Sequence, residues 1–382
     1  MSAALLLAAV GESAVITLEF PFGARMSGMG EVGVALADDV SALFWNPAGL
    51  GVRNCDWQTG SASASFEFLL PDIIGWKIWH AAVAGIYQLP NSLGGLGIYQ
   101  NHINMGRSTM YDNMYRPLIT VSSFETVTAL GWGFSFAEFG DPDRYMGVAF
   151  KPFVSGLAPG YGENGEGVAQ GFAIDVGYLK LYRNGLRFGM TFTNMGPAVF
   201  YIDQGNKDPL PFNVNAALGF KKRFVKDGAE WLKTAMEFRM QKKLVINRHD
   251  GDPEPFYVAL VVDPFNEPIS YELREIEYHI GGELVIMNTV CYRQGIFINH
   301  LGNIHELHTG FGLRLFNHLR ADFTFINTSL RYLWPASSEY NADEKDRSDP
   351  RKFQWQATLT VGALGKWSES DYRWWKIHPE RE

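Results

Sequence analysis

The chain has 382 residues, is 46% hydrophobic and 14% aromatic, and carries 40 glycines and a formal net charge of −8. This acidic balance, without a basic stripe, argues against a nucleic-acid partner. No stretch approaches the roughly 18–20 continuous apolar residues of a membrane-spanning helix, which excludes a helical membrane protein but not a barrel, whose strands need only ~9–11 residues each.

At the N-terminus, Met1–Ala14 holds an apolar run, Ala3–Val10, followed by small residues. It resembles the h-region and cleavage site of a secretory signal without a Lys or Arg ahead of it, and we read 1–14 as a signal-peptide remnant. A Gly- and Ala-rich segment, 15–50, differs from everything after it. Within it Val40–Phe44 is a short helix candidate, with Asp38 or Asp39 as its cap and Asn46-Pro47 as its stop. Gly28-Met29-Gly30-Glu31-Val32-Gly33 spells GxGxxG. That fingerprint binds a pyrophosphate only between a strand and a helix of a βαβ unit. Phe20-Pro21-Phe22-Gly23 breaks any such strand and no βαβ pattern follows, so no nucleotide site is expected.

Residues 51–365 are dominated by strands. In Thr128–Phe136, Leu130, Trp132, Phe134 and Phe136 alternate with Ala129, Gly131, Gly133 and Ser135. Strand side chains point to opposite faces with a period of two, giving one greasy and one small face. The same alternation runs through Phe172–Tyr178, Leu186–Phe192, Phe212–Phe220, Leu232–Met240 and Phe353–Val361. We expect fourteen strands, since bacterial single-chain barrels have even numbers. Turn signals at Pro90-Asn91-Ser92, Arg183-Asn184-Gly185 and Lys226-Asp227-Gly228 contrast with longer polar connections at Gly160–Gly167, Asp203–Pro211, Arg248–Pro255 and Ser337–Pro350. A last segment, 366–382, is a charged tail containing Trp374-Trp375.

Such strands build either an inside-out barrel with lipid on its apolar face or a soluble sandwich or propeller. Large apolar faces in nearly every strand, with no helix to cover them, favour the barrel. So do the sparse charges on the small faces: Asp175, Arg187, Glu237, Arg239, Glu277, Glu283, Arg314 and Asp322 suit a crowded polar lumen where opposite charges pair. A closed barrel also satisfies its backbone polar groups inside the bilayer. The expected fold is therefore an all-β transmembrane antiparallel barrel in outer-membrane lipid.

Chemistry is scarce. His300, His305 and His308 cluster where a solvated hairpin is expected, so no metal is assigned. Cys55 and Cys291 lack CxxC spacing, and a disulfide between them cannot be predicted. No nucleophile–base pair assembles. We expect neither an enzyme nor a cofactor.

Gly23–Gly30, continuing through Gly33–Asp39 to Phe44-Trp45-Asn46-Pro47-Ala48-Gly49-Leu50, resembles the N-terminal signature of FadL-like outer-membrane barrels, and within them the PorV/PorQ branch. Gly185–Gly189, Asn194-Met195-Gly196-Pro197, Tyr271–Ile276, Gly310–Leu313 and Arg320-Ala321-Asp322 extend the resemblance. It implies a fourteen-stranded barrel with 15–50 folded into the lumen as a plug, and Arg25, Gly28, Gly30, Asp38, Asp39, Asn46, Pro47 and Gly49 as plug residues. By that resemblance the protein sits in the bacterial outer membrane and serves type IX secretion. It would bind secreted cargo by its C-terminal domain and hand it to attachment machinery, with a translocon as a further partner. The alternative is a FadL-type channel for hydrophobic small molecules, fatty acids or aromatics. A second alternative is a soluble β-propeller or sandwich binding protein.

Overall fold

The computed structural model describes residues 13–362 apart from 53–59, 70–77, 91–92, 113, 138–139, 161–166, 202–206, 227–228, 245–254, 263–267, 303, 316–318 and 328–352. Cys55, the Ser337–Pro350 connection, the 366–382 tail and most of the expected leader lie outside the described residues.

Fourteen antiparallel strands close into a barrel. They are β1 (Gly60–Phe68), β2 (Trp79–Gln88), β3 (Gly95–Tyr111), β4 (Pro117–Phe136), β5 (Asp141–Gly156), β6 (Val168–Leu181) and β7 (Leu186–Met195), followed by β8 (Asn213–Lys226), β9 (Ala229–Lys243), β10 (Glu277–Ile286), β11 (Val290–Asn299), β12 (Ile304–Leu315), β13 (Leu319–Asn327) and β14 (Phe353–Gly362). Each pairs with its sequence neighbours, and β1 closes on β14, with Ala64 opposite Leu359. Closure of β1 on β14 removes the open sheet edge that a lipid bilayer would not tolerate.

The alternation points the way a bilayer requires. Leu130 is 53% exposed and Trp132 41%, while Asp175 is 0% and Arg239 7%. A sandwich or propeller would bury the first pair and expose the second, so the soluble alternative is ruled out. The connections sort onto two rims. One rim carries the short turns 137–140, 182–185 and 287–289, along with the start of β1 and the end of β14. The opposite rim carries the ends of β7 and β9, where longer connections begin. Short turns face the periplasm and long loops the exterior in outer-membrane barrels, and this chain has that asymmetry.

Two elements on the loop rim escaped the strand pattern: helices α3 (Phe256–Val262) and α4 (Ile269–Glu275) lie in the 244–276 connection. Phe256 and Ala259 of α3 pack with Phe212 and Leu244 on the outward Phe192, Met195 and Val214.

Residues 13–52 occupy the lumen. They form a 3-10 turn (Ile16–Leu18), α1 (Ala24–Ser27), α2 (Ala42–Trp45) and a second 3-10 turn (Pro47–Gly51). The helix expected at Val40–Phe44 starts later, with Ser41 at its N-cap and no side-chain cap bond. Neither Asp38 nor Asp39 caps it. Asp39 accepts from Ser41 N (2.9 Å) and Ser41 Oγ (2.5 Å) and turns its other oxygen to arginines. Asn46-Pro47 ends α2 as expected and at once starts the next turn: Pro47 sits where no N–H is needed, and Asn46 Oδ1 accepts from Ala48 N at 3.0 Å.

Candidate functional site

The plug is held along one side by charge. Arg25, in α1, donates to Glu283 of β10 (Nη2–Oε2 2.9 Å) and to Asp38 and Asp39 of the plug (both 3.0 Å). Glu283 also accepts from Arg293 of β11 (2.8 Å), Arg293 meets Asp322 of β13 (2.8 Å), Asp322 meets Arg320 (2.7 Å), and Arg320 returns to Asp39 at 3.0 Å. The result is a closed ring of alternating charge, Arg25–Glu283–Arg293–Asp322–Arg320–Asp39, spanning plug and wall. Asp38 branches from it, accepting from Arg187 of β7 at 3.1 Å and from Lys221 of β8. Burial pushes the Asp39 carboxyl up, but the Arg320 and Arg25 guanidiniums beside it outweigh this and hold it well below its ordinary range.

Backbone contacts extend the clamp. The Glu237 carboxylate of β9 accepts Gly33 N and Val34 N on one oxygen (both 2.8 Å), and Ala35 N (3.0 Å) and Leu36 N (2.7 Å) on the other. Arg239 donates to Asn215 Oδ1 (2.8 Å) and to Glu31 O (2.6 Å), and lies over the Trp45 ring. Asn46 donates to Val34 O (2.7 Å) and to Tyr178 O of β6 (3.0 Å), tying two stretches of plug to the wall.

Glycines bring these backbones together. A Cβ on Gly49 would fall 2.3 Å from Ala37 O, and one on Gly28 2.8 Å from Thr324 Oγ1. Gly30 (φ +75) lies on β11, where a Cβ would be 2.8 Å from Ile296 N. The wall reciprocates: a Cβ on Gly177 would sit 2.1 Å from Asn46 Oδ1, and one on Gly147 2.3 Å from the Pro47 carbonyl. The small inward faces therefore exist to admit a plug, beyond lining a hydrated bore.

All the sequence-predicted residues lie at this plug–wall contact or on the lumen side of the wall. Arg25, Asp38, Asp39, Arg187, Glu283 and Asp322 come together in the ring and its branch. Glu237 and Arg239 hold the 31–36 turn; Gly28, Gly30, Asn46, Pro47 and Gly49 supply close approaches. Asp175 stands apart, paired with Lys151 (2.6 Å) and accepting from Asn194 N (2.7 Å). Glu277 accepts from Asn299 at 2.7 Å. Arg314 is near the short-turn rim, its backbone N donating to Thr289 O at 2.8 Å.

Sequence reasoning missed Lys151, Arg293, Arg320 and Glu125, all buried. Extending the period of two along β5, β11, β13 and β4 would have placed each on the lumen face. The histidine expectation needs correction: His308 is 0% exposed on the lumen side of β12, not in a solvated hairpin with His300 and His305.

The other side of the plug is mainly apolar, although Glu125 of β4 accepts from Thr17 N (2.9 Å) and Thr17 Oγ1 (2.6 Å) there. Val15, Leu18 and Phe22 pack into one cluster with Tyr99, Val127, Ala129, Phe153, Ala173, Val199 and Leu210 of the wall and the loop rim. Ser13 and Ala14, assigned to the leader from sequence, belong to this end of the plug; Ala14 N donates to Pro209 O at 2.8 Å. Beside the cluster the wall is irregular. The β4–β5 ladder passes from Val127–Phe153 directly to Leu130–Phe150, skipping the stretch that includes Pro152, which has no N–H to donate. The β6–β7 register slips between Ile174 and Val176, where Asn194 adopts φ +65. The charged half offers little space: a cavity of about 40 Å³ between Arg25, Asp38, Arg187, Lys221 and Glu283 holds a few waters at most.

No protein-family model and no curated protein sequence matches this chain. Solved barrels do. The toluene transporter TodX of Pseudomonas putida superposes with a TM-score of 0.51 at 8% identity, covering 90% of this chain and 99% of TodX. The chain shares the barrel fold of TodX. The toluene transporter TbuX of Ralstonia pickettii (TM-score 0.47, 10% identity, 91% and 98% covered) and the monoaromatic hydrocarbon channel CymD (0.49, 10%, 90% and 98%) superpose more loosely. At these identities the likeness speaks for the fold alone. With its lipid-facing apolar exterior and its two unlike rims, the protein is a bacterial outer-membrane barrel.

Proposed function

We propose that the protein is a non-enzymatic channel that passes small hydrophobic molecules through the outer membrane, with residues 13–52 as its plug. The observation that carries this reading is the apolar surface of Val127, Ala129, Phe153, Ala173 and Val199 that faces the plug beside the incomplete β4–β5 ladder. Apolar surface in a lumen serves a hydrophobic passenger, which gains roughly 25 cal/mol for each Å² it removes from water. Here Val15, Leu18 and Phe22 of the plug occupy that surface. Passage then consists of these side chains yielding their place to a ligand while the charged side holds the plug in the barrel. Toluene, which TodX transports according to its description, is the natural first probe. Cells displaying the assembled barrel take up radiolabelled toluene several-fold faster at early times than cells carrying an empty vector. Equal rates, with the barrel shown to be folded by its heat-modifiable gel mobility, would refute the proposal.

One feature favours a second reading, in which the barrel receives secreted protein and passes it to attachment machinery as PorV-like proteins do. Beyond Asn104 of β3 and Phe124 of β4, these strands pair, among the described residues, only with each other. They form a two-stranded arm above the loop rim that bears exposed Tyr111, Met114, Tyr115 and Leu118. A free hairpin of this kind gains stability from a partner. Loss of surface-attached cargo on deleting the gene, with hydrophobic uptake intact, would favour this reading over the first.

A further inference from the structure

We infer that Glu31, Glu306 and His308 form a binding site for a divalent transition-metal ion that staples the plug to β12. Glu31 lies in the plug; Glu306 and His308 are two residues apart on the lumen side of β12. One donor atom from each falls within 4.8 Å of the others.

The histidine geometry points to a ligand. His308 Nδ1 is 2.7 Å from Ser27 O. A carbonyl oxygen only accepts, so Nδ1 carries a proton there, and Nε2 faces Glu306 Oε2 at 3.2 Å. With the ring singly protonated, two acceptors face each other there, and a cation between them resolves the contact. The separation is close to the ~3.3 Å that two donors subtend at a tetrahedral ion with bonds near 2.0–2.1 Å. An imidazole fixed through its other nitrogen on a backbone carbonyl is also the usual outer-shell arrangement of a metal-binding histidine.

A divalent ion held by two carboxylates and a neutral imidazole would leave no net charge in the lumen. The Glu31 carboxylate receives no hydrogen bond from any described residue, and the nearby Arg239 is engaged with Asn215, Gln241 and Glu31 O. A second imidazole adjoins the cluster: His279 is 1% exposed, holds Gly30 O through Nδ1 at 2.8 Å, and has no partner at Nε2 among the described residues. A mixed nitrogen and oxygen set selects zinc, manganese or iron(II) over calcium and magnesium, which take all-oxygen sets.

The test uses the full chain, purified in detergent, stripped with chelator and titrated with Zn²⁺ by calorimetry, with bound metal counted by elemental analysis. We expect one zinc per chain, with binding at least about 100-fold weaker in Glu31→Gln and His308→Gln. His300→Ala/His305→Ala removes the histidine pair nearer the rim and leaves the affinity unchanged. Heat-modifiable mobility confirms that each variant is a folded barrel; should His308→Gln fail to fold, Glu31→Gln, a plug residue outside the wall, decides alone. X-ray absorption at the zinc edge should show only nitrogen and oxygen ligands, including imidazole. The site is refuted if the wild-type chain binds no stoichiometric zinc. It is equally refuted if Glu31→Gln binds as the wild type does, or if the His300/His305 double variant loses the binding.

Discussion

The two sides of the plug are held by different physics. Toward β7–β13 the contact is a buried ring of ion pairs plus a carboxylate gripping consecutive backbone N–H groups; toward β3–β6 it is chiefly an apolar cluster beside an interrupted ladder, with a few hydrogen bonds such as Thr17 to Glu125. Buried ion pairs are costly to separate but specify one geometry, because a charge that loses its partner has no water to turn to. Apolar contacts are non-directional, and another apolar molecule can replace them. A plug held in this way can stay in register on one side while giving way to a passenger on the other.

The predictions run from the side expected to fail hardest. Arg25→Leu leaves Asp38, Asp39 and Glu283 facing one another without their shared cation, and breaking a buried pair in this manner costs about 3–5 kcal/mol. Ion conductance through the barrel in planar bilayers should rise and residues 13–52 should become open to protease; unchanged conductance would mean the ring does not seat the plug. Glu237→Gln replaces an acceptor for backbone N–H of 33–36 with an amide that can match only one side of it. A loss of about 2–3 kcal/mol in plug seating follows, read by the same protease assay. Gly177→Ala drives a methyl group into Asn46, costing about 1–3 kcal/mol and loosening the 46–48 turn.

The pH response sharpens the same contrast. Asp39 has a lowered folded pKa, so its contribution is present above its unfolded value of 3.8 and is lost only as pH falls through the lower folded value. As far as Asp39 is concerned, the charged side should therefore hold the plug at pH 5 as firmly as at pH 7, by protease resistance. Release on mild acidification in Asp39→Asn and wild type alike would show that another group governs seating. The smallest effect is expected away from both sides: Tyr115→Ser on the β3–β4 arm should change stability by within about 0.5 kcal/mol and leave toluene uptake unaltered.

Much of the wall was legible in the chain because a strand exposes its two faces alternately, and a greasy face on every strand leaves few architectures. Leu130 and Trp132 outward and Gly131 and Asp175 inward followed from that period, and the even-number rule for barrels fixed fourteen strands. What the inward face meets does not follow from a period. Gly131 and Gly177 read as the small face of a polar lumen, whereas in the fold they make room for Leu43 and Asn46, as Gly147 does for Pro47. The charge ring was half legible, since Glu283 and Asp322 were marked while Arg293 and Arg320 were passed over; long-range pairing across β10–β13 joins them. His308 was misassigned because it was grouped with His300 in a turn, whereas β12 begins at Ile304 and carries both His305 and His308. The helix at 256–262 was hidden because Phe256 and Ala259 pack on outward-facing residues of β7 and β8 and give no strand alternation.

The most direct test of the account is toluene uptake by Val127→Asp, which places a charge on the apolar surface and leaves every ion pair of the plug intact. The account predicts that uptake falls to the vector background while bilayer ion conductance stays as low as in the wild type. Wild-type uptake by this variant, with the barrel folded, would contradict it.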